Sequence, residues 1–373
     1  MKAFNLPKIT FWRAVAVIIV MTGLYSTFLR FSTGLQQTAL KDSFPWGLWI
    51  GFDVLCGVGL AAGGFTICAV THIFNIKQFK PLTKPAILTA FLGYVLVVVG
   101  LLMDLGKPWN IWHAIIMWNF NSVMFEVAWC VMLYTTVLFL EFVPVVLERF
   151  KLYTLQNILK KVSVPIYILG IILSTLHQSS LGSLFLIIPT KMSPLWYSSL
   201  LPVYFYLSAI SVGFAMIIFE AFLSARAFDK ELELNLLSKI GFISVIVLGI
   251  NFALKMIDLT FSNKWGYLAQ LDQASLLYIL EALVGVIIPF FMLTSKKVRE
   301  NKKWLYIASC MIVGGFIFNR LNVSITAVSN GTGIFYFPSF NEISITLMLV
   351  VLGMWAFRLI VKNFPVFNEP VRS

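Results

Sequence analysis

Charge is scarce in this chain. Only 12% of its 373 residues are Asp, Glu, Lys or Arg, about half of what a soluble domain carries. Acids are scarcer than bases, 16 against 28, and histidine occurs three times. The four cysteines, Cys56, Cys68, Cys130 and Cys310, stand inside apolar runs without CxxC spacing. That spacing argues against a zinc ribbon or an iron–sulfur centre and reads the thiols as small core residues. No nucleotide-binding or metal-ligand motif is present. No segment between apolar runs is long enough to form a further domain. The net charge of +12 does not indicate nucleic acid, because the bases sit in short segments between apolar blocks and not on one soluble face.

Apolar sequence is what the chain has in excess. Hydrophobic residues make up 59%, in blocks of about twenty, the span a bilayer core requires. Ten blocks are read, at about 9–29, 46–72, 84–104, 121–144, 162–186, 200–225, 236–258, 274–294, 304–326 and 341–362, each the length of a membrane helix. The fold expected is an all-α integral membrane protein, one transmembrane domain over 1–373. The first block, from Phe11, is long enough to remain a helix and shows no small-residue cleavage site. Turn and polar residues mark the breaks, among them Lys80-Pro81, Ser193-Pro194 and Asn330-Gly331-Thr332-Gly333. Lys and Arg alternate between sides. One side collects 21 of them, including the run Lys296, Lys297, Arg299, Lys302 and Lys303. The other holds five, Arg30, Lys41, Lys107, Lys191 and Lys264. The positive-inside rule places both termini and the basic side in the cytoplasm, in the inner membrane.

A charged group in mid-membrane costs roughly 2.5–3.5 kcal/mol on insertion scales, so it needs a partner or a function. Counted from the less basic, outer ends, Asp53, Glu126, His177, Glu281 and Arg320 fall about 8–13 Å deep, one polar layer near the outer face. Asp104 and Asp258 mark outer helix ends. Lys255 lies one turn inside Asp258 on the same face and is expected to pair with it. Glu220 is the one acid well inside the inner half, about a turn from its helix end. Glu141, near an inner helix end, reads as interfacial. Acids outnumber bases in the outer layer, which points to proton exchange. A haem held between helices needs two histidines at matching depth. His72 lies at an inner end and His113 in an interfacial outer loop, so no haem is expected, His113 with His177 being the one pair at comparable height.

The segments carrying this layer are Phe44-Pro45-Trp46-Gly47-Leu48-Trp49-Ile50-Gly51-Phe52-Asp53 with Ala61-Ala62-Gly63-Gly64; Asp104-Leu105-Gly106-Lys107-Pro108-Trp109-Asn110; Asn121-Ser122-Val123-Met124-Phe125-Glu126; His177-Gln178-Ser179-Ser180-Leu181-Gly182-Ser183; and Tyr336-Phe337-Pro338-Ser339. In this order they resemble the NrfD/polysulfide-reductase membrane subunits, most closely the ten-helix HybB type that anchors periplasmic nickel–iron hydrogenases. The resemblance covers nearly the whole chain. It implies two four-helix bundles, helices two to five (about 46–186) and six to nine (about 200–326), with a peripheral helix at each end. It implies a quinone near the periplasmic face as exchangeable substrate, menaquinone being the expected type, and neither haem nor iron–sulfur cluster in this chain. Electrons then pass to or from a periplasmic ferredoxin-like iron–sulfur subunit and the large and small subunits of a nickel–iron hydrogenase, with lipid as the remaining partner.

Quinone reduction takes two electrons and two protons, so each carbonyl needs a donor and a proton source. His177 suits one carbonyl, with Asp104 and Glu126 as proton-exchanging acids. Trp109, Asn110, Asn121, Ser180, Tyr336 and Phe337 are candidate headgroup or gate contacts, although the aromatic residues equally suit an interfacial belt. Glu220, Asp53, Glu281 and Arg320 are assigned to a proton path. The competing reading is a proton- or ion-coupled secondary transporter, which predicts repeated halves with broken helices at the midplane; no clear repeat is visible. The topology has a direct check. Tags at both ends should resist periplasmic protease in intact cells, and cleavage of both without lysis would overturn the orientation.

Overall fold

The computed structural model describes residues 10–44 and 46–367. Lys2, Lys8, Pro45, Arg372 and the first residue of the opening block lie outside the described residues. Among the described residues, ten helices are long and apolar enough to cross a membrane: α1 (Phe11–Thr33), α2 (Trp49–Ile73), α3 (Lys77–Asp104), α4 (Val123–Arg149), α5 (Tyr153–Ile187), α6 (Leu201–Phe228), α7 (Leu234–Phe261), α8 (Gln273–Thr294), α9 (Lys302–Thr332) and α10 (Phe340–Asn363). The expected all-helical architecture and the ten spans hold. Several helices exceed their apolar blocks. α5 starts nine residues before the expected 162, and α9 runs six residues past the expected 326. Hydropathy finds only the part of a helix that lies in hydrocarbon, whereas its hydrogen-bond ladder continues through polar turns at the interface. The expected break at Asn330–Gly333 is the real end of α9, where Gly333 takes the left-handed conformation that a helix C-terminus favours, φ 71°.

α2 is the central element. It packs on α3, α5, α6 and α9, while α1 and α10 pair with each other and α10 lies against α3. Its position explains its composition: α2 is the most buried span and is rich in Gly and Ala, which let neighbouring backbones approach. It is not continuous. Around Ala61–Ala62 the α-helical ladder is interrupted, and the Ala62 amide bonds the Gly59 carbonyl at 3.0 Å. The Val58 carbonyl, which the amide of residue 62 would normally satisfy, accepts a hydrogen bond from Gln178 Nε2 of α5 at 3.1 Å. Gly213 of α6 lies directly on the Ala62–Gly63 backbone, where a side chain has no room.

α8 and α9 cross at an equally close contact, Gly285 against Gly315, where a β-carbon on Gly315 would collide with the Gly285 backbone. The adjacent Gly314 faces open space. Gly315→Val should therefore destabilise the protein by about 1–3 kcal/mol through overpacking, read as a lower thermal midpoint in detergent, while Gly314→Val stays close to the parent. Equal midpoints for the two variants would refute the contact.

Candidate functional site

α5 presents one polar stripe to its neighbours. Gly170, Ser174, His177 and Ser180 recur at spacings of three or four, so they share a face. His177 is completely buried, and its Nδ1 lies 2.9 Å from the Tyr94 hydroxyl of α3. Its other ring nitrogen, Nε2, is buried with no protein partner. When Tyr94 donates to Nδ1, the imidazole proton resides on Nε2, which then presents a donor. Tyr94 in turn meets Tyr134 of α4 edge to face, ring centroids 4.7 Å apart. One turn outward, Ser180 Oγ donates to Glu126 Oε1 at 2.7 Å. Glu126 stands in the first turn of α4 and is solvent- or lipid-exposed, shallower than the buried layer expected for it. The reason is that α4 begins only at Val123, leaving Glu126 barely one turn from its end.

A second polar group closes the outer ends of α1, α3 and α10. Arg30 Nε and Nη2 donate to the carbonyls of Met103 and Leu105 at 2.7 and 2.5 Å, capping the C-terminus of α3. Sequence places Arg30 in an outer loop, but it is buried within α1. It interacts electrostatically with Asp104, one oxygen of which has no protein partner. Tyr336 is 5% exposed and therefore not a belt residue. Its hydroxyl donates to Glu342 Oε1 at 2.5 Å and accepts from the Leu48 amide at 2.8 Å. Burial, followed by the contact with Glu342, pushes this phenol above its ordinary pKa, so it stays a donor. Glu342 also completes the capping box of α10 with Ser339. Asp53, in a π-helical turn of α2, accepts from Thr346 of α10 at 2.7 Å.

A third group of intramembrane charges gathers among α6–α9. Glu281 receives four donors: Lys255 Nζ at 3.2 Å, Asn319 Nδ2 at 2.6 Å, Asn322 Nδ2 at 3.0 Å and Trp196 Nε1 at 3.1 Å. The expected pair of Lys255 with Asp258 does not form. Asp258 instead bonds Lys264 at 2.7 Å and Ser198 at 3.0 Å. Both corrections have one cause: each charge has an oppositely charged partner beyond α7 itself, Glu281 on α8 for Lys255 and Lys264 in the segment after α7 for Asp258. Arg320 is held by Ser208 Oγ at 2.7 Å, the Phe205 carbonyl at 3.1 Å and Asn319 Oδ1 at 2.7 Å, with its guanidinium 3.7 Å from the Phe205 ring centroid.

The single outer layer read from the sequence is thus several separate groups. Ser180 and Glu126 come together, with His177 one turn further in on the same face of α5; Asp104 and Tyr336 share the outer end of α3 and α10; Asp53 joins α10; Glu281 and Arg320 belong to α6–α9. Trp109 and Phe337 are 67% and 68% exposed; Asn110 ends the short helical turn Pro108–Asn110 and is partly buried, and Asn121 is exposed just before α4. Glu141, expected at the interface, is buried between α4 and α5. Sequence reading passes over Tyr94, Glu342, Asn319, Asn322 and Trp196. Only Glu342 carries a legible signal, the Ser-x-x-Glu spacing before an apolar run. The three histidines stand at the inner end of α2, in the outer loop and within α5, and no group of three metal-binding side chains occurs among the described residues.

Comparison with known proteins agrees with this architecture. The family model described as polysulphide reductase, NrfD, matches residues 36–329. The chain is 40% identical to a protein of Nitratidesulfovibrio vulgaris, over 94% of this chain and 93% of that one. It is 33% identical to the probable Ni/Fe-hydrogenase 2 b-type cytochrome subunit of Escherichia coli, over 94% and 90%. It is 26% identical to the menaquinone reductase integral membrane subunit of Nitratidesulfovibrio vulgaris, over 98% and 93%. The match to the family model over most of the chain, with near full-length similarity to membrane subunits of redox complexes, makes this protein a member of the NrfD polysulphide reductase family.

Proposed function

We propose that the chain is the quinone-reactive membrane subunit of a respiratory redox complex, with His177 at the headgroup site. The observation that carries this is the buried His177–Tyr94 pair with a free Nε2, on a face that continues outward to Ser180 and Glu126. A quinone carbonyl needs one such oriented donor inside an apolar slot. Glu126, exposed and bonded through Ser180, gives the site a proton-exchange route to the outer surface. Asp104 serves the same role from the α3 end, and Trp109, Asn110, Asn121 and Phe337 form the outer rim over which headgroup and partner meet. α2–α5 form the quinone-bearing bundle in this reading, and α6–α9 the second.

The electron partner is an iron–sulfur subunit on the outer side, joined to nickel–iron hydrogenase subunits. The similarity to the Escherichia coli hydrogenase 2 subunit supports that choice, and the similarity to a menaquinone reductase subunit supports menaquinone as the quinone. The chain lies in the inner membrane with its termini in the cytoplasm. We assign it no haem: a haem held between helices needs two histidines at matching depth, and with His72 at the inner end of α2 and His113 in the outer surface segment, His177 stands alone within the helices.

Glu220 is the proposed entry point for cytoplasmic protons. It lines a cleft of about 210 Å³ among the inner ends of α3, α6 and α7. One oxygen accepts from Thr89 at 2.6 Å and the other is buried without a partner. It sits eight residues inside α6, two turns from the helix end and not one. In this reading Asp53, Glu281 and Arg320 are the outer members of the path.

Two measurements follow. His177→Ala should assemble normally and lose about a hundredfold or more of quinone-linked turnover, the usual scale for removing a positioned acid or base. Donor oxidation with a soluble acceptor should persist, because that route stays in the partner subunits. Parental quinone turnover in the assembled variant would remove His177 from the site. Glu220→Gln in proteoliposomes should slow turnover and weaken its response to an imposed potential, which acts on a transferred charge with about 2.3 kcal/mol per 100 mV. A parental rate with parental voltage response would make Glu220 structural.

A further inference from the structure

Glu141 is a buried acid to which the reading above gives no task. It stands two turns from the inner end of α4 and is 8% exposed. No basic side chain pairs with it among the described residues. A carboxyl in that position is expensive unless it has a function or a neutralising partner.

Its surroundings are polar on one side only. Gly170 of α5 faces it, and a β-carbon there would stand 2.9 Å from Glu141 Oε1 and 3.6 Å from Tyr134 Cε2. The carboxyl and the edge of the Tyr134 ring therefore share the space that a missing side chain leaves. The Tyr134 hydroxyl is buried without a protein partner, and so is Ser174 Oγ, one turn outward from Gly170. Ser174 neighbours the phenols of both Tyr134 and Tyr94, and Tyr94 bonds His177. Toward the basic side, Tyr167 lies beside Glu141 and stacks on His72, which is half-buried at the inner end of α2. Three orphaned polar atoms, Tyr134 OH, Ser174 Oγ and His177 Nε2, thus fall along one seam between α4 and α5. Buried polar atoms of this kind are the ones that bind internal water.

We propose that Glu141 is the inner relay of a proton route along the α4–α5 seam, which recharges His177 through Tyr134, Ser174 and Tyr94. The proposal rests on His177 being the quinone-reactive group. In the reducing direction, the iron–sulfur partner supplies two electrons and the quinone oxygens take up two protons. The proton that leaves His177 Nε2 for one carbonyl oxygen is replaced at Nδ1 by the Tyr94 hydroxyl proton, the other carbonyl oxygen takes its proton from the Glu126 side through Ser180, and the imidazole returns its proton from Nδ1 to Nε2 before the next turnover. Tyr94 recovers its proton along the seam from Glu141, which is reprotonated from the His72 end. Quinol oxidation runs the same transfers backward. The route is distinct from that of Glu220, which leaves α6 against Thr89 of α3.

The test uses the whole complex in proteoliposomes and compares Glu141→Gln with Glu141→Asp. Gln keeps shape and hydrogen bonding but cannot carry a proton by ionising. Asp is shorter but still titrates. A relay predicts at least a tenfold loss of quinone-linked turnover for Gln and at most about a threefold loss for Asp, with donor-to-dye electron transfer unchanged in both. A packing role predicts the opposite order, and that order, or parental turnover in Glu141→Gln, overturns the proposal. If Glu141→Gln fails to assemble, Tyr134→Phe removes one hydroxyl from the seam and leaves the ring; it should slow turnover several-fold, and an unchanged rate overturns the proposal equally. His177→Ala separates the two claims. Lost turnover there with parental turnover in Glu141→Gln refutes the seam alone, whereas parental turnover in His177→Ala refutes the quinone site on which it rests.

Discussion

Hydrocarbon offers no hydrogen bonds, so a broken helix inside it must find its partners within the protein. That constraint acts at Ala61–Ala62 of α2, on which the rest of the arrangement depends. The break frees the Val58 carbonyl, and Gln178 supplies the missing donor. Gln178 is the neighbour of His177, so the same bond that satisfies α2 fixes the rotation of α5. With α5 held, His177 meets Tyr94 on α3 and Ser180 meets Glu126 on α4. Gly213 lets α6 lie against the broken segment from the other side, bringing the second half of the helices against the first.

Buried polar groups are satisfied unevenly across the helices, and unpartnered ones also occur in α6 and α7, at Glu220 Oε1 and Asn251 Oδ1. Among α6–α9, Glu281 is surrounded by four donors and Arg320 by three acceptors. A network so fully satisfied is stiff and holds its ions in place. Among α2–α5, the Tyr134 hydroxyl, Ser174 Oγ and His177 Nε2 have no protein partner. Leaving such atoms bare costs stability, and a site that exchanges ligands and protons needs groups whose bonds are not already committed.

π-helical turns accompany buried charges in α2, α8 and α9. Asp53 lies within a π-helical turn, and Glu281 and Arg320 stand just before two others, Leu283–Ile287 and Asn322–Thr326. An extra residue per turn re-aims the side chains around it and frees a carbonyl, a device found at functional sites. Regular helical spacing would have sent these charges in other directions, and no pattern of residue types announces such a turn.

The sequence by itself determined the membrane class, the ten spans and the polar stripe on α5, because hydropathy and helical spacing act over one contiguous segment. His177 and Ser180, three residues apart, share a face in any helix, and blocks of twenty apolar residues have no comparable solution in water. Partners were another matter. Lys255 had Asp258 within one turn and chose Glu281 on another helix; Glu141 near a helix end was buried because α5 brings Gly170 opposite it. Tyr94, an unremarked phenol in an apolar run, became the partner of His177 only when α3 and α5 were packed on α2. Those choices turn on the rotation and depth of helices far apart in the chain, which side-chain packing and the need to satisfy buried polar groups set.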